Sequence, residues 1–210
     1  MKSGFSLRIM ALLGTMLATF SPFTSWAQGA GASITETIVF VRHGEKPVAG
    51  LGQLDCQGLN RALALPPVIA ALGKIDAIFA PDPSQQKEDK GQLYDYVRPL
   101  ATIEPTAIAL GLPVGASIGL TDTGRLQSAL EQPKYSNARV VVAWEHKQIV
   151  DIVRALLGAH GGDPAQVPKW EERDYDSIYV VTLARNGDKT TASFARKREG
   201  LDGQSTSCAR

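Results

Sequence analysis

Two short apolar runs constrain the fold of this chain most strongly. The runs IDAIFA at 75–80 and RVVVAW at 139–144 are apolar on nearly every consecutive residue, whereas a strand with one solvent-exposed face would alternate. Continuous apolar runs of this length are typical of parallel strands that helices cover on both faces. A third run, TIVFV at 37–41, precedes them, and helix-like segments separate all three. The sequence therefore predicts a βαβ arrangement.

The last part of the chain shows a different pattern. The run SIYVVTLA at 177–184 is followed by Asn186 and Gly187 and then by DKTTASFARKR. An Asn-Gly pair between two such segments is a strong hairpin signal. We therefore predict an antiparallel hairpin at one edge of the sheet. The expected fold class is α/β, a three-layer sandwich with a mostly parallel, mixed central sheet and helices on both faces.

The segments between the strands differ in how clearly they predict structure. The clearest helix is HKQIVDIVRALLG at 146–158, where apolar residues recur on one face and a glycine ends the pattern. In the stretch 57–72, Pro66 and Pro67 are expected to break or restart a helix. The polar stretch 81–97 is long for a connection in a compact domain, which predicts a functional loop.

Residues 1–27 have the pattern of a signal peptide. Two basic residues precede the apolar segment at 9–20, and SWA ends at Ala27 with small residues where a signal peptidase requires them. The apolar segment is shorter than the roughly 20 residues that a membrane helix needs, so we expect no stable membrane anchor. We predict cleavage after Ala27, export to the periplasm or secretion, and a single domain at 28–210.

The charge balance narrows the class of partner. The chain has 22 Lys and Arg against 21 Asp and Glu, and loss of Lys2 and Arg8 with the signal peptide leaves 20 against 21, a net charge of −1. A surface this close to neutral gives no general attraction to nucleic acid or anionic lipid. The expected partner is therefore small, and any anion must be bound by a local group of arginines.

The two cysteines, Cys56 and Cys208, follow the predicted cleavage site. In an oxidising compartment, an even number of cysteines suggests pairing. We predict a Cys56–Cys208 disulfide that ties the C-terminal tail to the body of the domain and stabilises it by about 2–4 kcal/mol.

Ionisable residues follow the first and third apolar runs directly. Arg42 and His43 come after TIVFV, and Glu145 and His146 come after VVVAW. Because ligands of doubly wound sheets bind beyond the carboxyl ends of the strands, we expect these side chains to converge there. The N-terminal amides of the helix after the third run are expected to face the same anion. Arg98 can supply a second guanidinium, and two such forks suit a phosphoryl group whose phosphorus a neutral histidine can attack.

The motif VRHGEKP at 41–47 resembles the Arg-His-Gly motif of the histidine phosphatase superfamily, which includes acid phosphatases and cofactor-dependent phosphoglycerate mutases. LDCQGLNRALAL is similar to the family's glycine-containing helix start, and RPLAT is similar to its second-arginine segment. VVVAWEHKQIVDIVRALLG is similar to its second-histidine strand and helix. Together these segments cover most of 37–185.

This resemblance implies a phosphoglycerate mutase-like fold and a phosphatase that needs neither a metal nor a cofactor. His43 would become transiently phosphorylated, with Arg42 and Arg98 holding the phosphate. His146 would stabilise charge in the transition state. The substrate would be a small phosphate monoester or a phosphorylated envelope component.

The chain departs from the family around the second histidine and at the general acid. Glu145 and Lys147 flank His146, where the mutase-like branch has a small residue and a glycine. Two residues are therefore candidates for the general acid, the group that protonates the leaving oxygen. Asp122, in the loop-like GLTDTG, is one candidate and Glu145 is the other.

Two further alternatives stay open on the sequence. Arg61, Arg125 and Arg139 are rival second arginines, although none has surroundings like RPLAT. A non-catalytic phosphate-binding or interaction protein on the same fold is the alternative function, because the general acid is unassigned. A phosphoglycerate-type mutase would share the same residues, but its substrate and priming cofactor belong to the cytoplasm, and the predicted export argues against it.

Overall fold

The computed structural model describes residues 34–209 and positions 1 and 4. Apart from those two positions, the predicted signal peptide at 1–27 lies outside the described residues. Within 34–209 the strands are β1 Ile34–Arg42, β2 Ala77–Pro81, β3 Gln86–Asp89, β4 Gln92–Asp95, β5 Val114–Ile118, β6 Arg139–Trp144, β7 Ser177–Asn186 and β8 Lys189–Arg198. The α-helices are α1 Cys56–Ala70, α2 Arg98–Leu110, α3 Thr123–Leu130 and α4 His146–Ala159.

Six of these strands form one mixed sheet in the order β5-β2-β6-β1-β7-β8, and β3 pairs with β4 in a separate hairpin. β1 runs parallel to β6, and β2 runs parallel to both β6 and β5. β7 runs antiparallel to β1 and to β8. The predicted sheet, mostly parallel with an antiparallel hairpin at one edge, is therefore confirmed.

Both faces of the central sheet are buried, as the continuous apolar runs predict. Alternate residues of β1 enter two different apolar clusters, Ile38 and Phe40 on one face and Val39 and Val41 on the other. Helices α3 and α4 contribute to the first cluster, and α1 and α2 contribute to the second. Full burial of each such side chain stabilises the fold by about 1.5–3 kcal/mol. The chain therefore has the predicted three layers.

The register of β1 and β6 brings the two predicted histidines to one edge of the sheet. Arg42 pairs with Trp144 at the end of these two parallel strands. The residues that follow, His43 and Glu145, therefore leave the sheet together at its carboxyl edge. This is where a ligand of a doubly wound sheet is expected to bind.

The expected break at Pro66 and Pro67 is wrong, because α1 continues from Cys56–Ala70 through both prolines. Each proline removes one backbone donor, but its fixed φ is close to the helical value. Leu65 and Ile69 on the same helix are fully buried. Their packing against the sheet compensates for the lost hydrogen bonds.

Two regions of strand were not predicted. β5 reads VGASI and pairs only with β2 at the edge of the sheet, and a sequence this short with so few large apolar residues gives a weak strand signal. The hairpin of β3 and β4 falls inside the polar stretch 81–97 that the sequence predicts as a functional loop. That stretch is therefore an ordered hairpin rather than an open loop.

The C-terminal tail lies along the beginning of α1. Cys56 and Cys208 form the predicted disulfide, with their Cα atoms 4.5 Å apart. Nδ2 of Asn60 donates to the carbonyl oxygens of Ser205 and Ser207 at 2.8 and 2.7 Å. None of the helices in the described part of the chain is long and apolar enough to cross a membrane.

Candidate active site

His43 is the first residue after β1 and stands at the carboxyl edge of the sheet. Its backbone N donates to the carbonyl oxygen of Trp144 at 3.1 Å, which extends the β1–β6 pairing by one residue. Nδ1 of its ring lies 2.7 Å from the carbonyl oxygen of Gly44. Because a carbonyl oxygen can only accept, Nδ1 carries the proton and the lone pair is on Nε2. This tautomer leaves Nε2 free to act as a nucleophile.

The turn after His43 is held from two sides. A Cβ on Gly44 would lie 2.9 Å from backbone atoms of Gly58, so a residue without a side chain is needed where α1 approaches the turn. On the other side, the backbone N of Gly44 donates to Oγ1 of Thr102 at 2.9 Å. That hydroxyl donates to the carbonyl oxygen of Arg98 at 2.8 Å. The motifs RHG, CQG and RPLAT are thus in direct contact.

Arg42, the last residue of β1, is held by neutral groups. Its Nη1 donates to the carbonyl oxygens of Glu171, Glu172 and Asp174 at 3.3, 2.8 and 2.9 Å. Its Cζ lies 3.9 Å from the ring centroid of Tyr175. Burial lowers the pKa of this guanidinium from its ordinary value. Within the described residues no carboxylate forms an ion pair with it, so its charge is left without a direct counter-ion.

Arg98, the first residue of α2, supplies the second guanidinium. Its Nη1 donates to Oδ2 of Asp89 at 2.6 Å and to the carbonyl oxygen of Gly50 at 3.3 Å. Its Cζ lies 4.7 Å from the ring centroid of Tyr96. In Arg98, as in Arg42, Nη2 has no hydrogen-bond partner in the described part of the chain. Each guanidinium group is therefore held through Nη1, and its Nη2 is left to donate to a ligand.

The N-terminus of α4 differs from the expectation. Oε2 of Glu145 accepts from the backbone N of Lys147 and of Gln148 at 3.0 and 3.1 Å. The amides that were expected to face an anion are therefore capped by this carboxylate. Oε1 of Glu145 lies 2.8 Å from Nδ1 of His146, without the angle of a hydrogen bond. Glu145 thus contacts both the ring of the second histidine and the first backbone amides of α4.

The charge state of Glu145 bears on the choice of general acid. Burial by itself raises the pKa of this carboxyl, but His146, the charge of Lys87 and the backbone N of Gln148 outweigh burial and lower the pKa to about 2. Glu145 is therefore a carboxylate at neutral pH and has no proton to give to a leaving group. This observation argues against one of the two predicted general acids.

Asp122, the other predicted general acid, caps α3. Its Oδ1 accepts from the backbone N of Arg125 at 3.1 Å, and its side chain is exposed. The loop that carries it lies against the end of β6, because Nε1 of Trp144 donates to the carbonyl oxygen of Leu120 at 2.8 Å. The loop of Asp122 therefore lies at the same edge of the sheet as the end of β6. Asp122 makes no hydrogen bond to a predicted site residue in the described chain.

Each of the four predicted site residues is buried. Arg42, His43, Arg98 and His146 are between 2% and 7% exposed. Burial lowers the pKa of His43 well below its ordinary value, and the charges of Arg42 and Arg98 lower it further, against the opposing effect of Glu145. His43 is therefore neutral at physiological pH and its lone pair is available. No group of three or more metal-ligating side chains suited to a metal ion occurs in the described residues.

Two tyrosines beside His43 were not predicted. The ring of Tyr96 meets the imidazole edge-on at 5.9 Å between centroids, and that of Tyr175 lies tilted at 6.2 Å. Tyr96 also faces Arg98, and Tyr175 faces Arg42. An aromatic face stabilises a guanidinium without neutralising its charge. Tyr96 could have been predicted as a site residue, because it lies two residues before RPLAT. Tyr175 could not, because it is far in sequence from every site motif.

The rival second arginines lie elsewhere. Arg61, in α1, is fully buried and forms ion pairs with Glu45 and Glu199 at 2.7 Å each. Arg125 is exposed on α3, and Arg139 begins β6 at the amino end of the strand, away from the site. Of the four candidate second arginines, the structure therefore brings Arg98 to the first histidine.

The mixed six-stranded sheet with helices on both faces is the phosphoglycerate mutase-like fold, which this chain shares with solved structures of phosphatases and a mutase. The fold assigned from the sequence resemblance is therefore confirmed. No protein-family model matches the sequence, and no curated protein matches it. The likeness is found among solved structures.

Three of these structures illustrate the fold. A mycobacterial glucosyl-3-phosphoglycerate phosphatase in complex with inorganic phosphate has a TM-score of 0.52 at 16% identity, over 76% of this chain and 95% of that chain. A Nakamurella multipartitia protein proposed to be the phosphohistidine phosphatase SixA has a TM-score of 0.52 at 15% identity, over 78% and 95%. A phosphoglycerate mutase from Plasmodium falciparum has a TM-score of 0.51 at 13% identity, over 80% and 91%.

Proposed function

We propose that this protein is a metal-independent phosphatase that hydrolyses phosphate monoesters through a phosphohistidine at His43. The observation that supports this most is the state of that histidine. Its Nδ1 is bound to the carbonyl oxygen of Gly44, and its neutral Nε2 lies in the field of Arg42 and Arg98. A neutral imidazole beside two cations is suited to attack the phosphorus of an anionic ester.

The proposed reaction has two steps. Nε2 of His43 donates its lone pair to phosphorus, the phosphorus–oxygen bond to the alcohol breaks, and the alcohol leaves with that electron pair and one proton. Nη2 of Arg42 and Arg98 bind nonbridging oxygens, while His146 donates to an oxygen on which charge develops. Water then attacks phosphorus and gives one proton back to the group that protonated the alcohol. The nitrogen–phosphorus bond breaks with its electron pair returning to Nε2, and inorganic phosphate leaves.

We propose Asp122 rather than Glu145 as the source of the leaving group's proton, because the pKa of Glu145 is about 2. Nitrophenolate leaves without protonation, whereas an alkoxide does not. Asp122→Asn should therefore reduce hydrolysis of an alkyl phosphate by about 10²–10⁴-fold and have little effect on a nitrophenyl phosphate. Selective loss of alkyl ester hydrolysis in Glu145→Gln but not in Asp122→Asn would reverse the assignment.

The proposed substrate is a small phosphate monoester or a phosphorylated component of the cell envelope. The Cys56–Cys208 disulfide is compatible with an exported protein, and supports the predicted signal peptide and a periplasmic or secreted location. Of the similar structures, one is a phosphatase of glucosyl-3-phosphoglycerate and one is a phosphoglycerate mutase. The mutase reading is not favoured here because of the proposed export.

One observation favours a second candidate, a non-catalytic phosphate-binding or interaction protein. The carboxylate of Glu145 caps the N-terminal amides of α4 and adds negative charge beside His146. Both features weaken the site as a phosphoryl-transfer centre. This candidate predicts phosphate binding without turnover.

The deciding experiment is hydrolysis of nitrophenyl phosphate by the purified protein in the presence of a chelator, from acidic to neutral pH. His43→Ala is compared with His160→Ala, a matched control because His160 pairs with Glu131 at 2.9 Å, outside the site. We expect chelator-resistant turnover that is lost in His43→Ala and retained in His160→Ala. Turnover that survives His43→Ala contradicts the phosphohistidine proposal. Vanadate or phosphate binding without turnover supports the binding protein.

A further inference from the structure

The β3–β4 hairpin is docked onto the site by Asp89. Its Oδ2 lies 2.6 Å from Nη1 of Arg98, and its Oδ1 lies 3.4 Å from Nζ of Lys46. A Cβ on Gly50 would lie 2.4 Å from the carboxyl carbon of Asp89, so the loop after the RHG motif packs directly against this side chain. The hairpin is therefore fixed as one wall of the site.

Lys87 stands two residues before Asp89 and lies on the same face of β3. Its side chain is half-buried, and its Nζ lies 5.1 Å from the ring centroid of Tyr96. That ring meets the imidazole of His43 edge-on at 5.9 Å. Lys87 forms no hydrogen bond and no ion pair with the described residues. An ammonium group without a partner in the described chain and the nucleophile therefore lie beside the same aromatic ring.

Several charged groups act on this same ammonium. Burial lowers the pKa of Lys87, Glu145 raises it, and the positive charges of Arg98, Lys46 and Lys147 lower it further. A second lysine, Lys46 of the RHG loop, is tied to the same hairpin through Asp89.

The nearby carboxylates do not neutralise these cations. Asp89 is shared between Arg98 and Lys46, and Glu145 is held by the second histidine and the N-terminus of α4. A phosphoryl group would accept from the free Nη2 of both guanidinium groups of the site, of which Arg98 already pairs with Asp89. With phosphate bound, Lys87 would still have no anionic partner.

We propose that Lys87, together with Lys46, forms a subsite for a second anionic group on the alcohol of the substrate. The preferred substrates are then phosphate monoesters whose leaving group carries a carboxylate or a second phosphate a few bonds from the ester oxygen. A lysine suits both groups, because its ammonium is a compact charge on a flexible stem. This inference rests on the proposed phosphatase function, since it specifies which esters that site accepts.

The test compares two esters of nearly equal shape, 3-carboxyphenyl phosphate with an anionic substituent and 3-carbamoylphenyl phosphate with a neutral one. A contact with a charged group is worth enough to favour the carboxylate ester by about 10-fold or more in kcat/KM. Lys87→Met should reduce that preference to about twofold or less. Lys90→Met is the matched control, because Lys90 is exposed at the tip of the hairpin, and it should keep the full preference.

The outcomes separate this inference from the proposed function. Equal hydrolysis of both esters by the unmodified protein, or a preference that survives Lys87→Met, overturns the subsite and leaves the phosphatase intact. If neither ester is hydrolysed, the phosphatase proposal fails, and calorimetric binding of phosphonoacetate and methylphosphonate decides the subsite. Tighter binding of phosphonoacetate that Lys87→Met removes supports it, and equal binding overturns it.

Discussion

Arg61 and Arg42 are both buried, but they are surrounded by opposite kinds of partner. Arg61 donates to the carboxylate of Glu45 at 2.7–3.1 Å and to that of Glu199 at 2.7 Å. Arg42 donates to three backbone carbonyls and packs against Tyr175. Burial lowers the pKa of both guanidinium groups, but the carboxylates around Arg61 more than reverse the effect there.

This difference distinguishes a structural cation from a binding cation. Arg61 has more carboxylates around it than its single charge requires, since Asp176 also lies 3.6 Å away. A further anion would be repelled at that point. Arg42 has only dipoles and an aromatic ring, and a buried charge without a counter-ion is unfavourable. Under the proposed function an anionic ligand supplies the missing partner, so Arg42 would bind the ligand while Arg61 stabilises the fold.

The largest expected effect is on stability, from Arg61→Met. Removing this side chain leaves the buried carboxylate of Glu45 without its cation and the carboxyl group of Glu199 without its donor, while Asp176 keeps Arg198. This should lower the free energy of unfolding by about 3–5 kcal/mol. Urea unfolding at neutral pH measures the change. Arg125→Met, on the exposed face of α3, is the control and should cost less than about 0.5 kcal/mol. An equal loss in the free energy of unfolding for the two variants would contradict the structural role of Arg61.

The next largest effect is on activity, from Arg42→Ala. Loss of one preorganised donor to the phosphoryl group should reduce kcat/KM for an aryl phosphate by about 10²–10³-fold. Its effect on the free energy of unfolding should be smaller than that of Arg61→Met, because no buried carboxylate is left unpaired. Steady-state kinetics and urea unfolding of the same preparations test both statements. Near-normal activity together with a large loss of stability would make Arg42 a structural cation as well.

The disulfide tests whether the surroundings of Arg61 depend on the C-terminal tail. The double variant Cys56→Ser and Cys208→Ser should lower the free energy of unfolding by about 2–4 kcal/mol, since the bond closes a long loop. Treatment of the unmodified protein with a reductant should give the same loss. Unchanged stability in both preparations would mean that the ion pairs of the tail hold it without the covalent bond.

The smallest expected effect is a pH dependence centred on Glu199. Burial raises the pKa of this carboxyl to about 8, although Arg61 acts in the opposite direction. Between the ordinary value of 4.5 and about 8, the folded protein keeps a proton that the unfolded chain has lost. The free energy of unfolding therefore falls as pH rises through this window, by at most about 1.4 kcal/mol per pH unit for one proton.

Glu199→Gln removes this proton and should flatten the dependence. Urea unfolding of both proteins near pH 6 and near pH 7 measures the two slopes. A steeper fall in the unmodified protein is expected. Parallel slopes would show that Glu199 is already ionised in the folded state at the lower pH.

The parts of the fold that could be predicted are those whose signal is local and strong. β1 and β6 are continuous apolar runs, and their ends carry the site residues Arg42, His43 and His146 directly. RPLAT predicted Arg98 because it is similar to the family's second-arginine segment, and in the structure Thr102 of this motif accepts from the backbone of the RHG turn. Such motifs are readable because each is a short continuous segment, even though the contact between them joins distant parts of the chain.

The parts that were missed depend on contacts that the local pattern does not encode. The β3–β4 hairpin packs against charged groups of the site instead of the apolar core, so its polar sequence resembles a loop. Tyr175 reaches Arg42 from the opposite end of the chain. Glu145 caps α4 although glutamate is not among the preferred N-cap residues, which is why its amides were expected to be free.

The most direct test of this account is to trap the proposed intermediate. The protein is mixed with an aryl phosphate, quenched in alkali, where phosphohistidine survives, and digested for mass spectrometry. We predict the mass of one phosphoryl group on the peptide that contains His43, and its absence from Arg42→Ala treated identically. Turnover with the phosphoryl group on another residue, or with no phosphorylated peptide at all, would contradict the claim that the two site arginines hold a phosphate for transfer to this histidine.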